Sequence, residues 1–308
     1  MIRPPKLEKG DGIRIVAPAR KSSLAELQLA IEQFEAWGYQ VLYSEKLFAE
    51  EHQFAGSDAL RAADFQEAID DPNCKAILCA RGGYGSVRII DSLDFSSFKE
   101  RPKWIIGYSD VTVFHSALHR LGFASLHASM PIDFHKNSPQ SLNSLKQAIS
   151  GFDYRIEAPA NRSNKGGTVK APIVGGNISM LYSLLGSTDS IDTKGKILFL
   201  EDLDEYLYHV DRMMFNLKRN NYFDEAAGII VGALSDMNDN SIPFGESAAE
   251  ILARHFKDLS IPIAYDIPAG HLNDNQALIF GIVTELKVDS HGCTISFSHE
   301  ESQSRSRR

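Results

Sequence analysis

Cysteine is scarce in this chain: Cys74, Cys79 and Cys293 are the only three in 308 residues. So odd and sparse a set is no disulfide framework, and Cys74 and Cys79 flank or sit in an apolar run, so buried thiols are expected. A basic excess is also missing. The formal net charge is -8, without the electrostatic footprint of a general nucleic-acid binder. The one basic cluster, residues 305–308, lies in a polar tail and is expected to be disordered. No run approaches the roughly 20 apolar residues that a bilayer crossing needs. The opening stretch MIRPPKLEKGDGIRIV carries no apolar signal region. A soluble cytoplasmic protein, with no membrane or nucleic-acid partner, is the expectation. Neither H-E-x-x-H nor a paired C-x-x-C occurs, so no metal is expected. The glycine-rich turn at residues 81–85 fits neither the P-loop nor the dinucleotide pattern, and no cofactor is expected.

What is present is ordinary for a soluble globular protein, with 43% hydrophobic and 23% charged residues. At this length two domains are expected, each large enough for its own core. The first half alternates strand and helix patterns. Apolar runs at 13–17, 40–43, 76–79, 104–106 and 124–127 read as strands. Helical spacing marks 23–37, 58–69, 85–93 and 110–121. This alternation predicts an α/β fold: a parallel sheet with helices on both faces, over residues 1–150. Residues 151–168 are polar and rich in Pro, Asn and Gly, which suggests an interdomain crossing that could hold a strand. The remainder, 169–308, is expected to form a smaller mixed α/β domain, with helices at 178–185, 206–220 and 247–259 and strands at 197–200, 228–231 and 294–297.

In parallel sheets, ligands bind beyond the carboxyl ends of the strands. Those ends carry Pro18-Ala19-Arg20, Arg81-Gly82-Gly83-Tyr84-Gly85 and Gly107-Tyr108-Ser109-Asp110. The last is an abrupt strand-to-helix turn that could expose Ser109 as a nucleophile, with the Asp110 N–H placed to stabilise an oxyanion. Val111 stands where a complete nucleophile elbow would have glycine, and a plain helix-capping serine is the competing reading. The 81–85 turn could supply a second oxyanion donor.

A serine needs a base. His271 lies in the turn-rich stretch Pro268-Ala269-Gly270-His271-Leu272-Asn273-Asp274-Asn275; His115, His119 and His127 are rivals closer in sequence. His115 and His119, four apart on one helix, are expected to pack or solvate it. A carboxylate to orient the base could come from Glu201-Asp202, directly after the apolar run at 197–200. Capping a helix is an equal use for Asp202, Asp204 or Glu205.

Taken together, these stretches resemble the LD-carboxypeptidase family, the serine peptidases that include murein tetrapeptide carboxypeptidases. The resemblance rests on Lys9-Gly10-Asp11 with Ala17-Pro18, Ala80-Arg81-Gly82-Gly83-Tyr84-Gly85, Gly107-Tyr108-Ser109-Asp110, Gly175-Gly176-Asn177, Leu200-Glu201-Asp202 with Asp211-Arg212, and Gly270-His271. It implies a Ser109–His271–Glu201 triad and an oxyanion hole from the N–H groups of Asp110 and Gly83. It also implies an N-terminal α/β/α domain and a smaller C-terminal one, with the triad split between them. The implied activity is release of terminal D-alanine from a muropeptide at an L,D bond, in the cytoplasm, during peptidoglycan recycling. A homodimer is among the implications. One departure is His127-Ala128-Ser129-Met130, where the family often has His-Gly-Pro-Met.

Two alternatives accompany this reading. The microcin-immunity branch of the same superfamily, which acts on peptidyl-adenylate analogues, is expected to carry extra aromatic loop sequence. Neither Trp37 nor Trp104 lies in the compact 178–202 stretch. A non-catalytic α/β binding module would use Ser109 only as a cap.

Overall fold

A computed structural model describes residues 1–298; the basic cluster at 305–308 lies outside them. Its first sheet is built from β1 (Gly12–Val16), β2 (Gln40–Leu42), β3 (Cys74–Cys79), β4 (Trp104–Gly107) and β5 (Ser125–His127). These strands are all parallel, in the order β5-β4-β3-β1-β2. Most of β1, β3 and β4 is inaccessible on both faces, as near-continuous apolar runs require.

The flanking helices follow the sequence closely. Helix α1 (Leu24–Ala36) opens with a capping box between Ser23 and Glu26 and buries Leu27, Ala30, Ile31 and Phe34, one stripe at helical spacing. Ser57 caps α2 (Asp58–Asp70). The segment read as a helix over 85–93 departs from expectation. It forms two single 3₁₀ turns, Ser86–Arg88 and Ile90–Ser92, before the short α3 (Ser96–Glu100). Gly85, at φ +146°, and the pull of Asp110 on the Ser86 N–H leave no room for a regular helix start. The helix expected from residue 110 likewise begins as a 3₁₀ turn, Ser109–Val111, and becomes α4 (Thr112–Leu121) two residues later. Helix α5 is Pro139–Ser150.

The 151–168 crossing does contain a strand, β6 (Tyr154–Pro159), and β7 (Gly167–Asn177) begins at its end. Both belong to the second sheet. It continues with β8 (Ile197–Leu203), β9 (Gly228–Ser235) and β10 (Ile263–Ala264), then, after β11 (Leu278–Phe280), β12 (Val283–Asp289) and β13 (Gly292–Phe297). Its order is β10-β9-β8-β7-β12-β13-β6. The β10 to β7 half is parallel and the β7 to β6 half antiparallel. Helices α6 (Ile178–Ser183), α7 (Leu207–Arg219) and α8 (Ala248–Phe256) accompany the parallel half. Asp211 accepts from both Arg254 and His255, so this acid of the Asp211-Arg212 pair ties α7 to α8.

Strand β11 leaves the second sheet and joins the first, antiparallel to β5. It thereby carries the chain after His271 to the edge nearest Ser109. The two halves also meet through α4. Its Thr112 Oγ1 accepts from the Asn177 N–H at 3.1 Å. A Cβ on Gly176 would lie 2.5 Å from that hydroxyl, so only glycine admits the helix this close. Asn177 is paired in register with Glu201. The turn that carries Ser109 is thus docked on the strand beside Glu201.

Candidate active site

Three strand-end turns expected to converge do so. Arg61, almost fully buried on α2, donates to the carbonyls of Pro18 and Gly85. The Asp110 carboxylate accepts from the Ser86 N–H at 2.8 Å. Burial raises the Asp110 pKa, against the opposing hydrogen bonds from Ser86. The Gly82 position lies directly against Ser109: a Cβ there would sit 3.1 Å from Ser109 Cβ, 3.2 Å from its Oγ and 3.4 Å from the Asp110 nitrogen. Neither the Gly82 nor the Gly83 N–H has a protein acceptor among the described residues.

Ser109 itself has φ +63°, a left-handed conformation that costs a non-glycine residue about 1–3 kcal/mol. Such strain at a strand-to-helix turn lifts the side chain clear of the strand. The capping role is not used. Tyr108 precedes the 3₁₀ turn, Val111 precedes α4, and no side chain caps either.

Glu201, the fifth residue of β8, is completely buried. Its Oε2 is hydrogen-bonded to His271 Nδ1 at 2.6 Å. Burial alone would lower the His271 pKa, but the charge and hydrogen bond of Glu201 outweigh it, with help from Asp202 and Asp133, and the net shift is upward. With Nδ1 engaged, Nε2 is the nitrogen left for a substrate or nucleophile. The imidazole packs on the Tyr108 ring, 4.8 Å between centroids, so His271 rests against the residue preceding Ser109. Ser109 Oγ is hydrogen-bonded to no described residue. Nucleophile–base contacts are often long in a free enzyme and tighten on substrate.

The rival histidines have other work. His115 is fully engaged, with Nε2 to the Gly107 carbonyl at 2.9 Å and Nδ1 to Ser125 Oγ at 2.8 Å. Burial drops its pKa to about 4, so it is a neutral brace beneath the Gly107–Ser109 turn. His127 is buried among the rings of Tyr108, Phe199 and Phe280, and burial holds it well below the usual range. His119 lies farther along α4, and burial lowers it too. Asp202 serves the scaffold. It accepts from Asn177 Nδ2 and the N–H groups of Ser179 and Leu203.

Several supporting residues carry no local signal in the sequence. Tyr108 is held by its hydroxyl, which donates to Asp133 at 2.7 Å. The His271 carbonyl accepts from Ser235 Oγ at 2.6 Å, and Asn275 Oδ1 accepts from the Gly270 N–H. Ser129 and Ser141 both donate to the Asn275 carbonyl. The departure at 127–130 therefore places a hydroxyl under the His271 loop.

A family model described as the LD-carboxypeptidase N-terminal domain matches residues 13–128, and one for the C-terminal domain matches 170–286. The chain belongs to the LD-carboxypeptidase family. This LD-carboxypeptidase is 38% identical over 235 residues to the probable murein peptide carboxypeptidase of Bacillus subtilis, covering 74% of each chain. It is similar to the crystal structure of muramoyltetrapeptide carboxypeptidase from Oxalobacter formigenes, with a TM-score of 0.85 and 28% identity over 93% of this chain and 98% of that one. It shares its fold with the microcin C7 self immunity protein MccF in complex with aspartyl sulfamoyl adenosine, at TM-score 0.84 and 20% identity, covering 96% and 98%.

Proposed function

We propose that this LD-carboxypeptidase hydrolyses the L,D bond that precedes the terminal D-alanine of murein tetrapeptides, in cytoplasmic peptidoglycan recycling. Ser109 is the nucleophile, His271 the base and Glu201 its orienting carboxylate. The oxyanion hole is made by the N–H groups of Asp110 and Gly83. Residues 1–150 supply the nucleophile and 169–308 the other two side chains, across the 151–168 crossing. The observation that carries this reading is the 2.6 Å Glu201–His271 hydrogen bond beside the Tyr108–Ser109 turn.

The chemistry follows from these positions. Ser109 Oγ attacks the scissile carbonyl as its proton passes to His271 Nε2. Charge on the carbonyl oxygen is met by the two N–H groups in a site already dipole-aligned. Collapse breaks the C–N bond, and the imidazolium gives its proton to the departing D-alanine amine. Water then attacks the ester with His271 again as base, releasing the shortened peptide and the free serine. Throughout, Glu201 stabilises the imidazolium and fixes its tautomer.

Incubation with a defined L,D-tetrapeptide, followed by product masses, tests this. Loss of one alanine is expected, and Ser109→Ala is expected to abolish it while keeping the fold. Full activity in that variant would overturn the assignment. Acyl-sulfamoyl adenylates in a parallel arm test the microcin-immunity alternative. Phosphonofluoridate labelling of Ser109 separates both from a binding module.

A further inference from the structure

We propose that Arg20 receives the terminal carboxylate of the substrate and so confines cleavage to the last residue of a peptide, an inference that rests on the carboxypeptidase reading above. In a substrate cut before its final residue, the carboxylate lies one residue beyond the scissile bond, about 4 Å away. The cation that meets it must stand close to the oxyanion glycines and must be free.

Arg20 is placed that way. The Gly82 face looks at Ser109 Oγ, whereas the Gly83 face is covered by Arg20: a Cβ at Gly83 would lie 2.5 Å from Arg20 Cδ and 2.7 Å from its Nε. One dipeptide therefore separates nucleophile and guanidinium. The Arg20 backbone is rigidly held. The Ala19 carbonyl accepts from the Ala55 N–H, the Lys21 N–H donates to the Gln53 carbonyl, both at 3.1 Å, and Arg20 bridges Phe54. Its side chain is exposed and makes no hydrogen bond or ion pair with a described residue.

Five other cations of these turns and their surroundings each have a protein partner. Arg61 is buried on the Pro18 and Gly85 carbonyls. Arg88 grips both oxygens of Asp58. Lys21 pairs with Glu50, and Lys136 with Asp133. Arg81 Nη1 donates to the Lys21 carbonyl. Arg20 is the exposed member of this group whose side chain has no hydrogen bond or ion pair to a described residue, and its guanidinium fork has the geometry that binds a carboxylate with two parallel hydrogen bonds.

The test compares a tetrapeptide ending in free D-alanine with the same peptide ending in D-alanine amide. Wild-type protein is expected to prefer the acid. Arg20→Ala is expected to lose about 10- to 100-fold in kcat/KM on the acid, the range for a hydrogen bond to a charged group, mainly through a higher KM, and nothing on the amide. Arg20→Lys should recover part of the loss, and melting should be unchanged. Equal loss on both substrates, a fall in kcat alone, no loss, or a wild type indifferent to amidation would overturn the role of Arg20. A wild type that cleaves neither peptide removes the carboxypeptidase reading, and this inference with it.

Discussion

The Glu201 carboxylate, wholly buried two residues before the end of β8, holds His271 Nδ1 at 2.6 Å across 70 residues of sequence. A charge in that position acts on both orientation and proton affinity. Glu201→Gln keeps the shape and removes the charge, so kcat/KM is expected to fall by about 10²–10⁴ with the fold retained. The pH profile should move as well. Glu201 contributes to the raised His271 pKa, and the base must be neutral to accept the serine proton. The acid limb of the wild-type profile is therefore expected above the ordinary histidine value, and in Glu201→Gln it should shift to lower pH. A pH–rate series on both proteins checks the direction.

Ser109 holds a left-handed backbone at φ +63°. Ser109→Gly removes the nucleophile and the steric penalty of φ +63° together. It is expected to be inactive yet more stable by about 0.5–1 kcal/mol, or a rise in Tm of about 1 °C for a chain of this size. Ser109→Ala keeps the penalty and should show no such rise. Calorimetry of the two variants side by side separates strain from loss of the hydroxyl.

At position 82 the backbone is not left-handed, so alanine there meets only a steric limit. Its methyl would sit 3.2 Å from Ser109 Oγ, in the space that an attacked carbonyl has to enter. Gly82→Ala is expected to lower kcat by at least about 10²-fold, since a misplacement near 1 Å costs that much. The change in Tm should be small. A variant with full kcat would show that the turn can yield, and would remove this turn from the site.

The sequence made the strands and most helices legible because burial on both faces writes continuous apolar runs, and because capping residues such as Ser23 and Ser57 mark helix starts. It failed at 85–93, where the apolar spacing is helical but Gly85 and the Asp110–Ser86 bond set the local path. The candidate site was legible residue by residue only through resemblance to a family. Nothing local in Glu201 or His271 says that they meet, since β8 and the 268–276 loop come together through strand order. The Tyr108–Asp133 bond and the serines beneath Asn275 were not legible for the same reason. Their partners are found only once β5, α5 and β11 have been packed.

Asp202 makes a prediction about stability rather than rate. Burial, and then the neighbouring Glu201 charge, push its pKa up to about 7, well above its unfolded value. Between roughly pH 4 and 7 the folded state therefore holds a proton that the unfolded chain has released. With fewer protons bound in the unfolded state, stability falls as pH rises through this window and levels off above it. The raised His271 pKa acts in the same direction, so the wild-type slope alone does not isolate Asp202. Asp202→Asn does. Its amide retains one oxygen to accept from the neighbouring donors but carries no charge, and the decline between pH 4 and 7 should become shallower. Urea unfolding at several pH values reads the two slopes, and identical slopes would mean that Asp202 is ionised normally in the folded protein.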